Sequence, residues 1–338
     1  MKKILFAAVA VMAMAACSNE DVISRPALPM IGFDNAFVEN STRAATDITG
    51  YNISNFGVYG SVVNGQGQKG VIFSNQEVRK GNDGFTYSPA QYWIPGSNYK
   101  FLAIAPFDAA KWEYTLPENA NAVEKGTITF DNAAALASQD LLFAAAAKTT
   151  PAPLAADPGE VAFTFGHVLS RVVFTFTNSF AENSNITLKV HNVAINNTAA
   201  TGTLPVVDSA AGVWTGADDY QINFGPTTLG EAPELAENNG MNTTEHFYLI
   251  PVKRTYNITF QVTMFQAGVQ GQTFTHTIDK EIDFAKGGNY SLNIVLNQEN
   301  VNPSAQLYPI EFTVTGVEEW AGFSGVDANV NQPTTGNN

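Results

Sequence analysis

The sequence predicts an all-β protein built from sandwiches, on three observations. Short segments that alternate apolar and polar residues recur along the chain, loops rich in Gly, Asn and Pro separate them, and few stretches have helical periodicity. Short strands at fairly regular spacing are typical of sandwiches rather than of a parallel sheet with crossover helices. The 338 residues, of which 45% are hydrophobic, allow a substantial core and suggest about two domains.

Five segments show the alternation most clearly, and each is predicted to be a half-buried strand. They are residues 163–165, 172–176, 186–190, 258–264 and 290–296. The Ala-rich segment 133–147 fits a helix or a strand, and the sequence leaves both open. Segment 148–160 contains three prolines and one glycine, which predicts a linker or a long surface loop. We therefore place a domain boundary near it, at residue 165.

The first 17 residues are typical of an export signal that ends at a cysteine. Lys2 and Lys3 precede an apolar stretch, 4–16, which is shorter than the ~20 residues needed to span a bilayer and so indicates a cleaved signal. Cys17 is the only cysteine of the chain. Its position after small residues resembles the lipobox of a bacterial lipoprotein, in which this cysteine becomes the acylated N-terminus. An ordinary signal peptide with an incidental cysteine is the alternative.

The acidity of the chain argues against a nucleic-acid partner. Loss of Lys2 and Lys3 with the signal lowers the formal charge from −14 to −16. An acidic surface repels phosphate backbones. With its one cysteine used for lipidation, the fold has no disulfide to support it, and its stability must come from the sheets.

The sequence contains no recognised catalytic, cofactor-binding or metal-binding motif, and we therefore expect a protein that is not an enzyme. Gly65, Gly67 and Gly70 match a dinucleotide-binding fingerprint, but a strand-like segment follows where a helix is needed, so a hairpin loop is predicted. The adjacent acids at 218–219 and 318–319 would point to opposite faces of a strand, which favours solvated surface. The histidines lack metal-ligand spacing, which predicts structural or surface roles and no metal. They are His167, His191, His246 and His276.

Segments spread over almost the whole exported chain resemble the fimbrillin family, the subunits of type V pili. The most specific match runs from Ser138-Gln-Asp140 to the stretch 161–174, which contains Phe163-Thr-Phe165-Gly-His167. The other matching segments are 31–33 with 36–38, 42–44, 92–93, 99–106, 249–251, 284–290 and 310–320. Their order and spacing are hard to obtain by accident.

This resemblance implies two tandem transthyretin-like β-sandwich domains, with short helices in loops, and export as a lipoprotein. It further implies that an Arg-specific protease removes the N-terminal strand and that subunits then assemble by strand exchange. The expected organisation is a signal peptide with lipobox, a propeptide with the first strand, two sandwich domains, and a C-terminal strand and tail. The corresponding residues are 1–17, 18–43, 44–165, 166–298 and 299–338.

Cleavage is expected after Arg43, so that the mature chain begins at Ala44. Residues 28–38 have the apolar content of a strand, and a polar stretch, 39–43, suited to an exposed loop follows them. Arg25 is a poor competitor because Pro26 follows it. Removal of the strand would leave unpaired backbone groups and an apolar groove, which an added strand could fill.

The candidate donor strand lies after residue 308, where Ile310, Phe312 and Val314 alternate with polar residues. The alternative is that it forms the last strand of the chain's own second domain. Ser209, in Asp208-Ser209-Ala210, resembles a short O-glycosylation signal used on exported proteins.

The predicted function is that of a structural pilus subunit, with adhesion as a second role. No cofactor is expected. Expected partners are other subunits, the Arg-specific protease, the outer membrane through the lipid, and a host or bacterial surface ligand. The lipid-anchored precursor is expected at the outer membrane, and the subunit is expected afterwards in the extracellular fimbrium. The alternative is a glycan-binding surface lipoprotein of a polysaccharide-uptake system, with tryptophan platforms drawn from Trp93, Trp112, Trp214 and Trp320. Shaft, tip and anchor roles stay open, although Arg43 argues against an anchor.

Overall fold

The computed structural model describes residues 28–38, 53–118, 120–154, 156–304, 310 and 312–316. Within them lie twenty strands and one 3-10 helix, Leu229–Glu231. The strands are β1 Phe33–Val38, β2 Asn55–Val63, β3 Lys69–Gly81, β4 Gly84–Thr86, β5 Asn98–Ala105, β6 Trp112–Thr115, β7 Gly126–Asp131, β8 Leu142–Thr149, β9 Val161–His167, β10 Ser170–Asn178, β11 Ile186–Val207, β12 Ala210–Ala211, β13 Thr215–Asn223, β14 Glu234–Leu235, β15 Gly240–Thr243, β16 Phe247–Leu249, β17 Lys253–Gln266, β18 Val269–Asp283, β19 Asn289–Leu296 and β20 Phe312–Gly316. The predicted all-β class is confirmed.

The strands form three sheets. The first has the order β1-β9-β8-β5-β2-β3-β4. The second runs β18-β17-β11-β7-β6, and β12, β13 and β14 also pair with β11. The third runs β15-β10-β19-β20, with β16 paired to β10.

Three hydrophobic cores lie on the faces of these sheets. On β5, Phe101 belongs to an aromatic core on one face of the first sheet, whereas Leu102 faces a middle core shared with β6, β7 and β11. Because neighbouring residues of a strand point to opposite faces, this central strand is buried on both sides. Gly60 of β2 has no Cβ, and the rings of Phe73 and Phe101 lie over its backbone where a Cβ would be only 2.8 and 3.1 Å from them. The third core lies between β10 and β19 on one side and β11 and β17 on the other.

Strand β11 links the cores because it is 22 residues long. Its first half, from Ile186 to Asn196, pairs with β17, and residues 201–206 pair with β7. The second sheet therefore takes strands from both sides of residue 165, and that residue itself lies inside β9. The division into domains at 165 stays a prediction.

The predicted strands at 163–165, 172–176, 186–190, 258–264 and 290–296 are confirmed as parts of β9, β10, β11, β17 and β19. The glycine-rich segment forms the predicted hairpin loop, in which the Asn64 side chain accepts hydrogen bonds from the backbone of Gln66 and Gln68. The Ala-rich segment forms turns and then β8, which settles the open alternative in favour of a strand. Residues 150–154 and 156–160 lie in loop conformation between β8 and β9, which pair with each other.

Candidate functional site

The segment 28–38 contains a strand, as predicted, and it lies at the edge of the first sheet. Strand β1 runs parallel to β9, with Phe33 opposite Val161 and Val38 opposite Phe165. Ahead of β1, Met30 forms an antiparallel bridge with Tyr92. The segment is therefore paired on one side to β9 and, near its start, to residues 91–93 on the other.

Strand β1 also contacts β4, which is the last strand at the opposite end of the same sheet. The sheet therefore curls until its two ends meet across β1. Since β1 closes this gap, its withdrawal would open a slot between β9 and β4.

The slot is aromatic. The Phe33 side chain is 2% exposed, and its ring centroid lies 5.4–6.3 Å from five other aromatic rings. These rings belong to Phe56, Phe73, Tyr87, Phe101 and Phe163. Ile31 is fully buried beside them. Burial of two such side chains contributes about 3–6 kcal/mol by transfer from water.

Polar contacts fix the start of the segment. The Tyr87 hydroxyl donates a hydrogen bond of 2.7 Å to the Ile31 carbonyl. Burial raises the pKa of Tyr87, so this hydroxyl stays protonated and remains a donor. The Val161 amide donates to the Gly32 carbonyl at 2.8 Å. Sequence reasoning missed these contacts because the partners are far apart in the chain.

The candidate donor strand forms part of the chain's own third sheet. This is the alternative to a free donor strand that the sequence left open. Strand β20 pairs antiparallel with β19, with Phe312 opposite Ile294 and Val314 opposite Leu292. The side chains of Ile310 and Val314 pack against the third core. Because β20 is the edge strand of this sheet, it could leave by breaking one ladder only. Its role as a donor stays a prediction.

Three predicted processing residues, Cys17, Arg43 and Ala44, lie outside the described residues. Ser209 lies in the turn between β11 and β12, where it is partly exposed and has a φ of 68°. The neighbouring Asp208 is exposed and lies 3.7 Å from the Lys125 ammonium group. This position is accessible to a modifying enzyme, and glycosylation there stays a prediction.

The three tryptophans that the structure describes do not form the exposed platforms that the glycan-binding alternative needs. Trp93, Trp112 and Trp214 are all buried. The indole N–H groups of Trp112 and Trp214 donate to the carbonyls of Pro106 and Val168, at 2.7 and 2.6 Å. Trp320 lies outside the described residues.

Three of the histidines are buried and serve the packing. His167 Nδ1 lies 2.5 Å from Asp140 Oδ2, and both side chains are fully buried. Burial lowers the pKa of His276, whose Nε2 lies 3.0 Å from the Val301 carbonyl. Burial also lowers the pKa of His191. His246 is partly exposed and contacts the Arg171 guanidinium at 3.1 Å.

Among the described residues no group of three or more His, Cys, Asp or Glu side chains could hold a metal ion. Asp218 and Asp219 are exposed, and Asp219 pairs with Arg254 at 3.1 Å. Within the described part of the chain, no helix has the length and hydropathy required to cross a membrane.

The fold and the site define a class: all-β proteins whose first described strand closes a curled sheet at its edge. Comparison with known proteins specifies that class further. A family model described as fimbrillin-like matches residues 42–316, and the chain belongs to this family. The match ends at Gly316, the last residue of β20.

Solved structures resemble the chain in fold. A fimbrial protein from Bacteroides vulgatus is 15% identical, with a TM-score of 0.61, and the match covers 86% of this chain and 99% of that one. A candidate cell adhesion protein from Bacteroides uniformis is 18% identical, with 86% and 98% covered and a TM-score of 0.46. The fimbrial anchor protein Mfa2 from Porphyromonas gingivalis is 10% identical, with 78% and 90% covered and a TM-score of 0.37. Among curated proteins none matches the chain.

Membership of the family supports a structural subunit of a pilus at the cell surface, which interacts with other pilus subunits. The resemblance inferred from the sequence is thereby confirmed.

Proposed function

We propose that this protein is a pilus subunit that is exported as a lipoprotein, cleaved after Arg43 and polymerised by strand exchange. One observation carries the proposal. The strand that precedes Arg43 closes the aromatic slot between β9 and β4, so that its removal would leave a site shaped for another strand. The role is structural and involves no catalytic step.

A slot filled by another strand has a lower free energy than an empty slot. Withdrawal of residues 28–38 would expose the backbone groups of β9 and the ring faces around Phe33. Unpaired backbone groups and apolar surface both cost free energy in water. A strand from a second subunit would restore the ladder and place its own large side chains where Ile31 and Phe33 lay.

Strand β20 is the donor that we propose, with Ile310, Phe312 and Val314 as the residues that enter the slot. Among the described residues it pairs on one side only, with β19. A donor role therefore requires exchange of its antiparallel ladder with β19 for a ladder in the slot. The family's Arg-specific protease would start the exchange by cleavage between Arg43 and Ala44, which frees the slot.

A variant in β20 tests the donor assignment. Phe312→Asp should block polymerisation of cleaved subunits and leave the monomer folded, because a carboxylate is costly in the aromatic slot. Thr313→Asp is the matched control, since the Thr313 side chain is exposed. Filament length by electron microscopy and monomer folding by circular dichroism are the measurements. If Phe312→Asp unfolds the monomer, the fold cannot spare β20 from its ladder with β19, and the donor lies elsewhere in the tail.

Processing is tested on native surface appendages. Mass spectrometry should find subunits that begin at Ala44, and their formal charge should be −14 against −16 for the exported precursor, since residues 18–43 carry four acids and two arginines. Residues 28–38 retained covalently in the polymer would contradict the mechanism.

Cys17→Ser should abolish labelling by a fatty-acid probe and block assembly. Normal pili from that variant would refute the lipoprotein step.

We further propose that the precursor is held at the outer membrane by its lipid and that the mature subunit lies in the extracellular fimbrium. A surface ligand on host or bacterial cells is the corresponding adhesion partner. Binding of purified pili to cells, compared with a strain that lacks this subunit, measures that role directly.

A further inference from the structure

Four large hydrophobic side chains lie exposed together at one end of the first sheet. Leu28, Met30, Tyr92 and Ile94 are between 41% and 53% exposed. They belong to two segments that pair with each other, 28–31 and 91–94. We call these four residues the apolar quartet.

Backbone pairing explains why the quartet forms one surface. Met30 lies opposite Tyr92, and the amides of Ile31 and Trp93 donate to the carbonyls of Gln91 and Pro29, at 2.8 and 3.0 Å. Side chains alternate across such a ladder, so residues two apart share a face. The alternate residues Ile31 and Trp93 are fully buried in the aromatic core. The quartet is the opposite, outward face.

The segments that carry the quartet contain no charged residue. Residues 84–99 and 149–156 contain no Asp, Glu, Lys or Arg, and neither do residues 26–33. These segments are neighbours, because the Gly96 amide donates to the Pro151 carbonyl at 3.0 Å and the Thr150 hydroxyl donates to the Ile94 carbonyl at 2.6 Å. The nearest acid is Glu160, whose Cγ would lie 2.9 Å from a Cβ on Gly32. The quartet itself is thus an apolar surface formed by uncharged segments.

The chain upstream of the quartet limits where this end of the protein can be. Leu28 follows Cys17 by eleven residues. Eleven residues span at most about 40 Å, even fully extended. Acylation of Cys17 would therefore hold the quartet within that distance of the lipid bilayer. A single acyl anchor gives weak membrane binding, and a second apolar contact strengthens it.

We propose that the apolar quartet rests on the surface of the bilayer that holds the acyl chains, and so orients the precursor with this end toward the membrane. Tyr92 supplies an aromatic ring with a polar tip, the type of side chain enriched at membrane interfaces. Cleavage after Arg43 would remove Leu28 and Met30 with the propeptide. One cut would then release the acyl anchor and half of the quartet together. This inference rests on the proposed lipidation of Cys17.

Vesicle binding by an unlipidated precursor tests the surface apart from the lipid. The full exported chain carrying Cys17→Ser is mixed with vesicles of phosphatidylethanolamine and a minor fraction of phosphatidylglycerol, and bound protein is measured by flotation. We expect measurable partition, and a loss of about tenfold or more for Leu28→Ser with Met30→Ser and for Tyr92→Ser with Ile94→Ser. The matched control is Met241→Ser with Val269→Ser, whose parent side chains are 66% and 71% exposed. It should bind as the parent does.

Three outcomes would overturn the proposal. In the first, the parent protein does not bind vesicles. In the second, the control variant loses as much binding as the quartet variants do. In the third, the quartet variants abolish self-association in solution while their vesicle binding is unchanged. The last outcome would assign the surface to a second copy of the chain. Urea unfolding midpoints verify that every variant is folded. Fatty-acid labelling of wild-type cells tests the lipidation separately, so failure of one proposal is distinguished from failure of the other.

Discussion

Truncation of Phe33 is the most direct test of how the first strand is held. In the uncleaved precursor the Phe33 ring contacts five aromatic rings and is 2% exposed. Phe33→Ala removes the ring and leaves a cavity whose walls are other rings of the closed sheet. Because these rings belong to four strands, β2, β3, β5 and β9, and to the loop after β4, the cavity has little freedom to collapse.

The expected cost is large for a single substitution. Phe→Ala changes in well-packed cores lower the free energy of unfolding by about 3–5 kcal/mol. With a urea dependence of about 2 kcal/mol per M, the unfolding midpoint should fall by about 1.5–2.5 M. Trp93 belongs to the same core, its ring centroid lying 6.2 Å from that of Phe101, so tryptophan emission reports the transition.

Leu28→Ala is the matched control, because Leu28 lies in the same segment but is 45% exposed. Its midpoint should shift by less than about 0.5 M. If Phe33→Ala shifts the midpoint no further than Leu28→Ala does, β1 does not close the aromatic core. The slot between β9 and β4, and with it the basis for strand exchange, would then be refuted.

Three further predictions concern residues outside the slot. Asp140→Ala removes the carboxylate that contacts His167 and should lower the free energy of unfolding by about 1–3 kcal/mol in urea titrations, because a buried polar group loses its partner, whereas Asp140→Asn keeps an acceptor and should cost less. Burial lowers the pKa of His276 below its usual value near 6.5, so the unfolded chain binds the proton more readily and stability is lost as pH falls below that value. The urea midpoint should drop between about pH 7.5 and about pH 5, and His276→Gln should reduce that drop, with His191 contributing part of the remainder. Ser209→Ala should lower the intact mass of the native protein by one glycan, and an unchanged mass would refute glycosylation at this residue.

Much of the fold was predictable from the sequence because its signals are local. Alternation at 172–176 specifies a strand with one buried face, and β10 has that burial pattern along its length. The hairpin at Asn64 follows from turn chemistry within five residues. The processing signals around Cys17 and Arg43 are linear motifs, so they can be read without any structure.

The candidate site depended on tertiary structure, because its parts lie far apart in the chain. Residues 28–38 predict a strand, but no local pattern shows that β1 joins the two ends of one sheet by lying between β9 and β4. Parallel pairing has no turn to set its register. The contact between Asp140 and His167 likewise depends on how β9 returns beside β8.

The sequence by itself determined the family, the all-β class and the expected processing sites, since each is encoded in short contiguous segments. Only the tertiary structure decided that Phe33 fills an aromatic slot, that β20 lies against β19, and that the apolar quartet forms one exposed surface. The physical reason is that burial and pairing are properties of segments brought together by the fold. A side chain such as Tyr92 is apolar in the sequence, but whether it faces the core or the solvent is set by the strand that pairs beside it.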